Sequence, residues 1–249
     1  MFKHKKLILF LLVVPLCALG LTLWYFYDTQ IIRLDYEGFT VWLDCSRRGA
    51  VKFRYIAQPD TGKLDRLHMF SIDSNVPYRC QQTATAPYTH PNVRYDRGHL
   101  VPANHFDHSE KALKQSNFVT NTLPQVAEMN RGAWLGTEQL IECYRDITRL
   151  IVVGGVIWGN DASDDYFLQS HGVATPDAFW KVVVSKEYGV LAWVIPNSKQ
   201  AIYSRVDSYL VSVAEVERRT RETVSDVPKE LKHFKAEVSW PKVKGCSRQ

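Results

Sequence analysis

Tyr95-Asp96-Arg97-Gly98-His99-Leu100-Val101-Pro102-Ala103-Asn104 is the densest cluster of chemistry-bearing side chains in this 249-residue chain. An acid, a guanidinium and an imidazole meet around one glycine. Such a segment can present a base of near-neutral pKa beside a fixed positive charge. By itself it decides nothing, because a single histidine in a turn is more often a surface or hydrogen-bonded residue than a catalyst. His105 and His108, just beyond, take that plainer reading. Two further segments follow in order: Asn121-Thr122-Leu123-Pro124-Gln125, then Asn130-Arg131-Gly132-Ala133-Trp134 with Glu138.

Around these segments the periodicity is that of a mixed fold. Residues 36–57 alternate through Phe39, Val41, Leu43 and Val51, Phe53, Tyr55, with Arg47-Arg48-Gly49 between them, which predicts a hairpin. Residues 58–92 are rich in Pro, Asp, Thr and Asn and read as an extended loop. Residues 128–146 have helical apolar spacing. The unbroken apolar run Ile151–Ile157 predicts a buried strand, residues 180–184 and 190–195 a second hairpin, and residues 202–218 an amphipathic helix. No linker divides residues 28–249, so one α+β domain is expected there.

Overall basicity does not argue for a polyanion partner. The 31 basic residues include Lys3, Lys5 and Lys6 in an acid-free amino terminus, and the remaining 28 face 26 acidic ones. Any case for nucleic acid must come from a local site. The uncharged stretch from Leu7 to Tyr27 is long enough to cross a bilayer, and Trp24 to Tyr27 suits an interfacial belt. An uncleaved anchor over residues 7–27 is the expectation; cleavage near Gly20, after the small-x-small Ala18-Leu19-Gly20, is the rival. Either way residues 28–249 would be exported, membrane-anchored or secreted. Cys45, Cys80, Cys143 and Cys246 contain no CxxC pair, and their even number suits two disulfides in an oxidising compartment. Of three connectivities, Cys45–Cys80 with Cys143–Cys246 is the one expected.

The ordered set Asp96-Arg97-Gly98-His99, Asn121-x-x-Pro-Gln125, Asn130-x-Gly-Ala-Trp134 and Glu138 resembles the sugar-non-specific DNA/RNA endonucleases of the ββα-metal fold. That family includes secreted bacterial nucleases and mitochondrial endonuclease G. The resemblance runs through roughly residues 36–220. It implies a central antiparallel sheet flanked by helices and a metal-dependent endonuclease with little sequence preference.

The resemblance also implies roles. His99 would be the general base that takes a proton from water, suited by an unperturbed pKa of about 6.5. Asn130 would hold one Mg2+, with Mn2+ able to substitute; an amide oxygen is a hard ligand for such an ion. Glu138 follows by eight residues, about 12 Å of helix rise and roughly 80° past two full turns. Direct ligation of one ion by both would be strained, so Glu138 is expected to act through a metal-bound water. Arg97 would stabilise charge developing on the phosphate, or pair with Asp96, or do both. Asn121 is open between substrate contact and scaffold. The family's upstream arginine fits Arg66 best, with Arg79 and Arg94 as alternatives. Trp134 reads as core.

Water as nucleophile makes the 2′-hydroxyl unnecessary, so DNA and RNA would both be cut, leaving 5′-phosphates. Binding would rest on phosphate contacts, for which Arg47, Arg48, Lys52, Arg54 and Arg94 are candidates, unless they form a solvated face. The alternatives are a catalytically inactive nucleic-acid-binding module of the same fold and an exported nuclease toxin with an unidentified inhibitor or immunity protein. Related nucleases are often dimers, so a homodimer is a further expectation.

Overall fold

The computed structural model describes residues 30–241 together with Val243 and Cys246. The apolar segment at 7–27 lies outside them, as do Lys242, Lys244 and Arg248. No helix among the described residues is long and apolar enough to cross a membrane.

In chain order the elements are β1 (Ile31–Asp35), β2 (Phe39–Asp44), β3 (Gly49–Ala57), β4 (Tyr95–His99), α1 (Glu110–Ser116) and β5 (Thr122–Val126). A helical stretch from Ala127 follows, ending in α2 (Leu135–Tyr144), then β6 (Leu150–Ile157), β7 (Ala178–Ser185), β8 (Gly189–Pro196) and α3 (Val213–Thr220). Six strands form one antiparallel sheet in the order β1-β2-β3-β6-β7-β8, while β4 and β5 pair as a separate antiparallel ribbon. Ribbon and helix together make a ββα unit laid on one face of the sheet. Both expected hairpins and the buried strand are present, and residues 58–92 form the long connection.

β6 is apolar throughout because both its faces are covered. Val152 packs toward Phe53, Tyr55, Trp134 and Phe179 on the side of the ββα unit; Val153 packs toward Val213 and Val216 of α3. Gly154 and Gly155 fit this crowding. A Cβ at Gly154 would lie 2.2 Å from the Phe53 ring, and one at Gly155 would lie 2.1 Å from the Val51 carbonyl. The expected helix over 202–218 is instead two pieces, a 3-10 segment Tyr203–Tyr209 and α3. Between them Leu210 is extended and bridges Trp193, and the Val211 N–H donates to the Ala192 carbonyl on β8, so the sheet edge captures the backbone there. Ser212 then restarts the helix, its hydroxyl accepting from the Glu215 N–H at 3.2 Å.

The disulfides are Cys45–Cys80 and Cys143–Cys246, the expected pairing. The first ties the β2–β3 turn to the long connection. The second ties the carboxy-terminal tail to α2.

Candidate functional site

The Asp-Arg-Gly-His run is strand β4 rather than a turn, and its register against β5 joins the first two motifs: Asp96 faces Gln125, Gly98 faces Leu123 and His99 faces Thr122. Gly98 is needed for this contact, since a Cβ there would lie 2.1 Å from the Gln125 side chain. Alternation sends Asp96 and Arg97 to opposite faces, so the considered Asp96–Arg97 pair does not form. Asp96 instead accepts from Arg131 Nη2 at 2.6 Å and Nε at 2.8 Å, and from Asn130 Nδ2 at 2.9 Å. Burial opposes its ionisation, but these bonds, Arg131 first, hold it below the usual carboxylate range. Arg97 donates to the Thr85 carbonyl at 2.7 Å and lies 4.1 Å from the Phe70 ring centroid.

His99 is 9% exposed and packs against Phe70. Its Nε2 lies 2.7 Å from Asn117 Oδ1, and the Asn117 Nδ2 donates to the Leu67 carbonyl at 3.0 Å. With that amide nitrogen engaged, Asn117 must offer its oxygen to the ring. His99 therefore carries its proton on Nε2 and keeps the Nδ1 lone pair free, the tautomer a general base needs. Asn117 was absent from the sequence reading; it lies outside the quoted motifs, and only the fold brings it to His99. The Trp134 indole N–H donates to the His99 carbonyl at 3.2 Å, seating the strand on the helix. Of its two considered roles, Asn121 takes the scaffold one here. It is fully buried, its Oδ1 accepts from the Val101 N–H, and its Nδ2 donates to the Val101 and Ser116 carbonyls. It thereby ties the chain just after His99 to the chain just before Asn117.

The helix carrying the third motif is interrupted. Asn130–Trp134 is a wide, π-type turn in which Gly132 leaves helical geometry (φ −111°, ψ −107°), and the Ala133 N–H donates to Ala201 instead of to its own helix. A Cβ at Gly132 would lie 2.8 Å from the Ala201 carbonyl. This kink separates Asn130 from α2, so the rotation of roughly 80° expected between Asn130 and Glu138 on a continuous helix does not apply. Glu138 is 16% exposed and lies 4.0 Å from the ammonium of Lys181, which is fully buried. Burial pushes the Glu138 carboxyl up and the Lys181 ammonium down to about 8, each opposed by the charge of the other.

Arg66 is exposed, and its positive charge disfavours protonation of His99 and favours the ionised form of Glu138. Its loop is pinned on both sides. The Asp60 N–H donates to Asp146 Oδ1, Arg145 pairs with Asp60 at 3.1 Å, and the Leu64 N–H donates to the Asp107 carbonyl; beyond Arg66, the Leu67 carbonyl holds Asn117. Arg94, two residues before Asp96 in the chain, also helps to hold the Asp96 carboxyl down. The suggested phosphate track through Lys52 and Arg54 is not available. Lys52 pairs with Glu222 at 2.9 Å and Arg54 with Asp226 at 2.8 Å, on the sheet face away from the ββα unit. Arg47 lies 5.5 Å from the Trp158 ring. His105 is buried between Tyr55 and Glu142 rather than at the surface.

The donors present fit a hard divalent cation. The Asn130 amide is oriented by its nitrogen's bond to Asp96, which leaves Oδ1 as an acceptor, and Asn130 is partly exposed. No group of three or more His, Cys, Asp or Glu able to cage a metal occurs among the described residues. One amide oxygen and a nearby carboxylate suit an ion that keeps most of its water, as magnesium does.

Burial pushes the His99 imidazole down to about 4, aided by Arg66 and Arg97 and opposed by the Asn117 hydrogen bond. His105 is lowered as well, again chiefly by burial. In this window the unfolded chain binds protons that the folded chain refuses, so stability is complete above pH 6.5 and falls as pH drops toward 4. His99 alone should contribute a loss on the order of 3 kcal/mol. Urea titrations from pH 7 to 4 should show a steeper decline for the wild-type chain than for His99→Gln. Parallel declines would contradict the burial of a neutral imidazole.

Nuclease 1, mitochondrial, of Schizosaccharomyces pombe is 30% identical over 185 residues, covering 66% of this chain and 56% of that protein. Human Endonuclease G, mitochondrial, is 24% identical over 168 residues, covering 62% and 52%. The chain spans about half the length of the curated relatives it matches. A solved structure titled as an EndoG/EndoGI complex superposes with a TM-score of 0.64 at 20% identity, over 80% of this chain and 88% of that one, and so shares the fold. The family model described as DNA/RNA non-specific endonuclease matches residues 25–229, and with most of its length so accounted for, the chain belongs to that family.

Proposed function

We propose that the chain is a divalent-metal-dependent endonuclease that hydrolyses phosphodiester bonds in DNA and RNA with little sequence preference, using His99 as general base. The observation that carries this reading is the Asn117–His99 hydrogen bond, which leaves the Nδ1 lone pair free on an imidazole that burial and the charges of Arg66 and Arg97 keep neutral. His99 Nδ1 takes the proton from an attacking water. Arg97, braced by Thr85 and Phe70, and Arg66, on its pinned loop, supply positive charge where the phosphate becomes more negative. Asn130 Oδ1 would hold Mg2+, or Mn2+ in its place, with Glu138 acting through a bound water. When bound, the ion neutralises phosphate charge and stabilises the departing 3′ oxygen. Because the nucleophile is water, the 2′-hydroxyl is not required, and the products carry 5′-phosphates. Two disulfides suit an exported domain, and a membrane anchor at residues 7–27 would hold it outside the cytoplasm.

The test is incubation of the full chain, disulfides intact, with plasmid DNA and with RNA, in Mg2+ and in EDTA. Both polymers should be cut in Mg2+ and neither in EDTA. Binding without cutting, in Mg2+ and in Mn2+, would replace this reading with that of an inactive binding module.

A further inference from the structure

Strand β7 carries a cation into the core, and its ammonium meets three residues of the helical stretch that carries the third motif. Lys181 stands opposite Gly154 of β6 and Trp193 of β8 and is fully buried. Its ammonium donates to Thr137 Oγ1 at 2.8 Å, lies 3.6 Å from the Trp134 ring centroid and is 4.0 Å from Glu138 Oε1. Thr137 in turn donates to the Trp134 carbonyl at 2.7 Å. These contacts fall on residues 134–138, the stretch between the wide turn that starts at Asn130 and Glu138 itself. Packing does not call for a charge here, since Phe179 and Val183, which flank Lys181 on the same face of β7, are apolar. A buried ion pair also costs desolvation that an apolar side chain of similar volume avoids. The ammonium is therefore best explained by what it does to Glu138.

We propose that Lys181 is a positioning residue of the active site: from the central sheet it holds one oxygen of the Glu138 carboxylate, so that the other faces the water of the bound cation. This rests on the metal-dependent reading above. The lysine and Thr137 act as a strut between β7 and the helix, and the sheet, not the helix surface, sets where the carboxylate points.

The test uses Mn2+ alone as probe, its uptake by the full chain followed through the EPR signal of the free ion, with no substrate present. Lys181→Met keeps an unbranched side chain one atom shorter and removes its charge; it should weaken Mn2+ binding by roughly tenfold to a hundredfold, as loss of an outer-shell partner does. Thr137→Val leaves the charge but removes its anchor, and should weaken binding in the same direction by less, with folding intact. Thermal unfolding of Lys181→Met, Glu138→Gln and the double variant supplies a readout independent of metal. The double variant should melt above Lys181→Met alone, because it removes the carboxylate left buried without its partner. That comparison stands even if Lys181→Met folds poorly. Unchanged or tighter Mn2+ binding in Lys181→Met, or strictly additive unfolding effects, would overturn the proposal. A wild-type chain that takes up no Mn2+ would instead overturn the metal-dependent reading on which it rests.

Discussion

His99→Ala is expected to lower kcat on plasmid DNA by about 10³- to 10⁴-fold while nucleic-acid affinity stays nearly unchanged. The loss is the full contribution of a positioned general base. His105, the nearest histidine in sequence, is committed to Tyr55 and Glu142 inside the core. Affinity persists because Arg66 and Arg97 reach their positions through the Asp60–Arg145 pair and the Thr85 carbonyl, neither of which passes through His99. Since alanine would also leave Asn117 without its partner, His99→Gln serves as a volume-conserving control and should be almost as inactive. Single-turnover cleavage beside filter binding separates the two quantities. A kcat loss below about tenfold would assign the base elsewhere.

The second large effect is expected at Asn130. Asn130→Leu removes the amide oxygen that would meet the cation, and cleavage should fall by roughly 10- to 100-fold at low Mg2+, with partial recovery as Mg2+ is raised. Stability should change little. Asp96 keeps both of its bonds to Arg131 when the Asn130 bond is lost, so no buried carboxylate is left unpaired. The Mg2+ dependence of cleavage, measured beside the melting temperature, checks both parts. A variant whose Mg2+ dependence matched the wild type would remove Asn130 from the metal site.

Much of this arrangement is legible along the chain because its causes are local. The alternation of Phe39, Val41, Phe53 and Tyr55 needs one buried sheet face, and the unbroken run of β6 needs two. Four cysteines with no CxxC pair suit two disulfides, and of the three connectivities Cys45–Cys80 with Cys143–Cys246 is present. The three motifs supply His99, Asn130 and Glu138 through the family resemblance, whereas pairing with β5 makes the first motif a strand where a turn was expected. Where the local reading fails, a distant segment has intervened. Ala201 draws the Ala133 N–H out of the helix and opens the wide turn, while β8 captures residues 210–211 and divides the helix expected over 202–218.

By itself, then, the sequence determined the two hairpins β2–β3 and β7–β8 and the buried strand β6, since periodicity is a property of neighbouring residues, while the base and the cation's candidate ligands are what the family resemblance implies. Tertiary structure alone decided which partner each polar side chain received. Asp96 took Arg131 instead of the adjacent Arg97 because neighbours on a strand face opposite ways. Lys52 and Arg54 were consumed by Glu222 and Asp226, some 170 residues away, and so left the phosphate track. Asn117 and Lys181 entered the site through the loop before β5 and through β7. Buried polar groups must be satisfied by whatever the packing of remote elements brings within hydrogen-bonding distance, and no spacing along the chain records that.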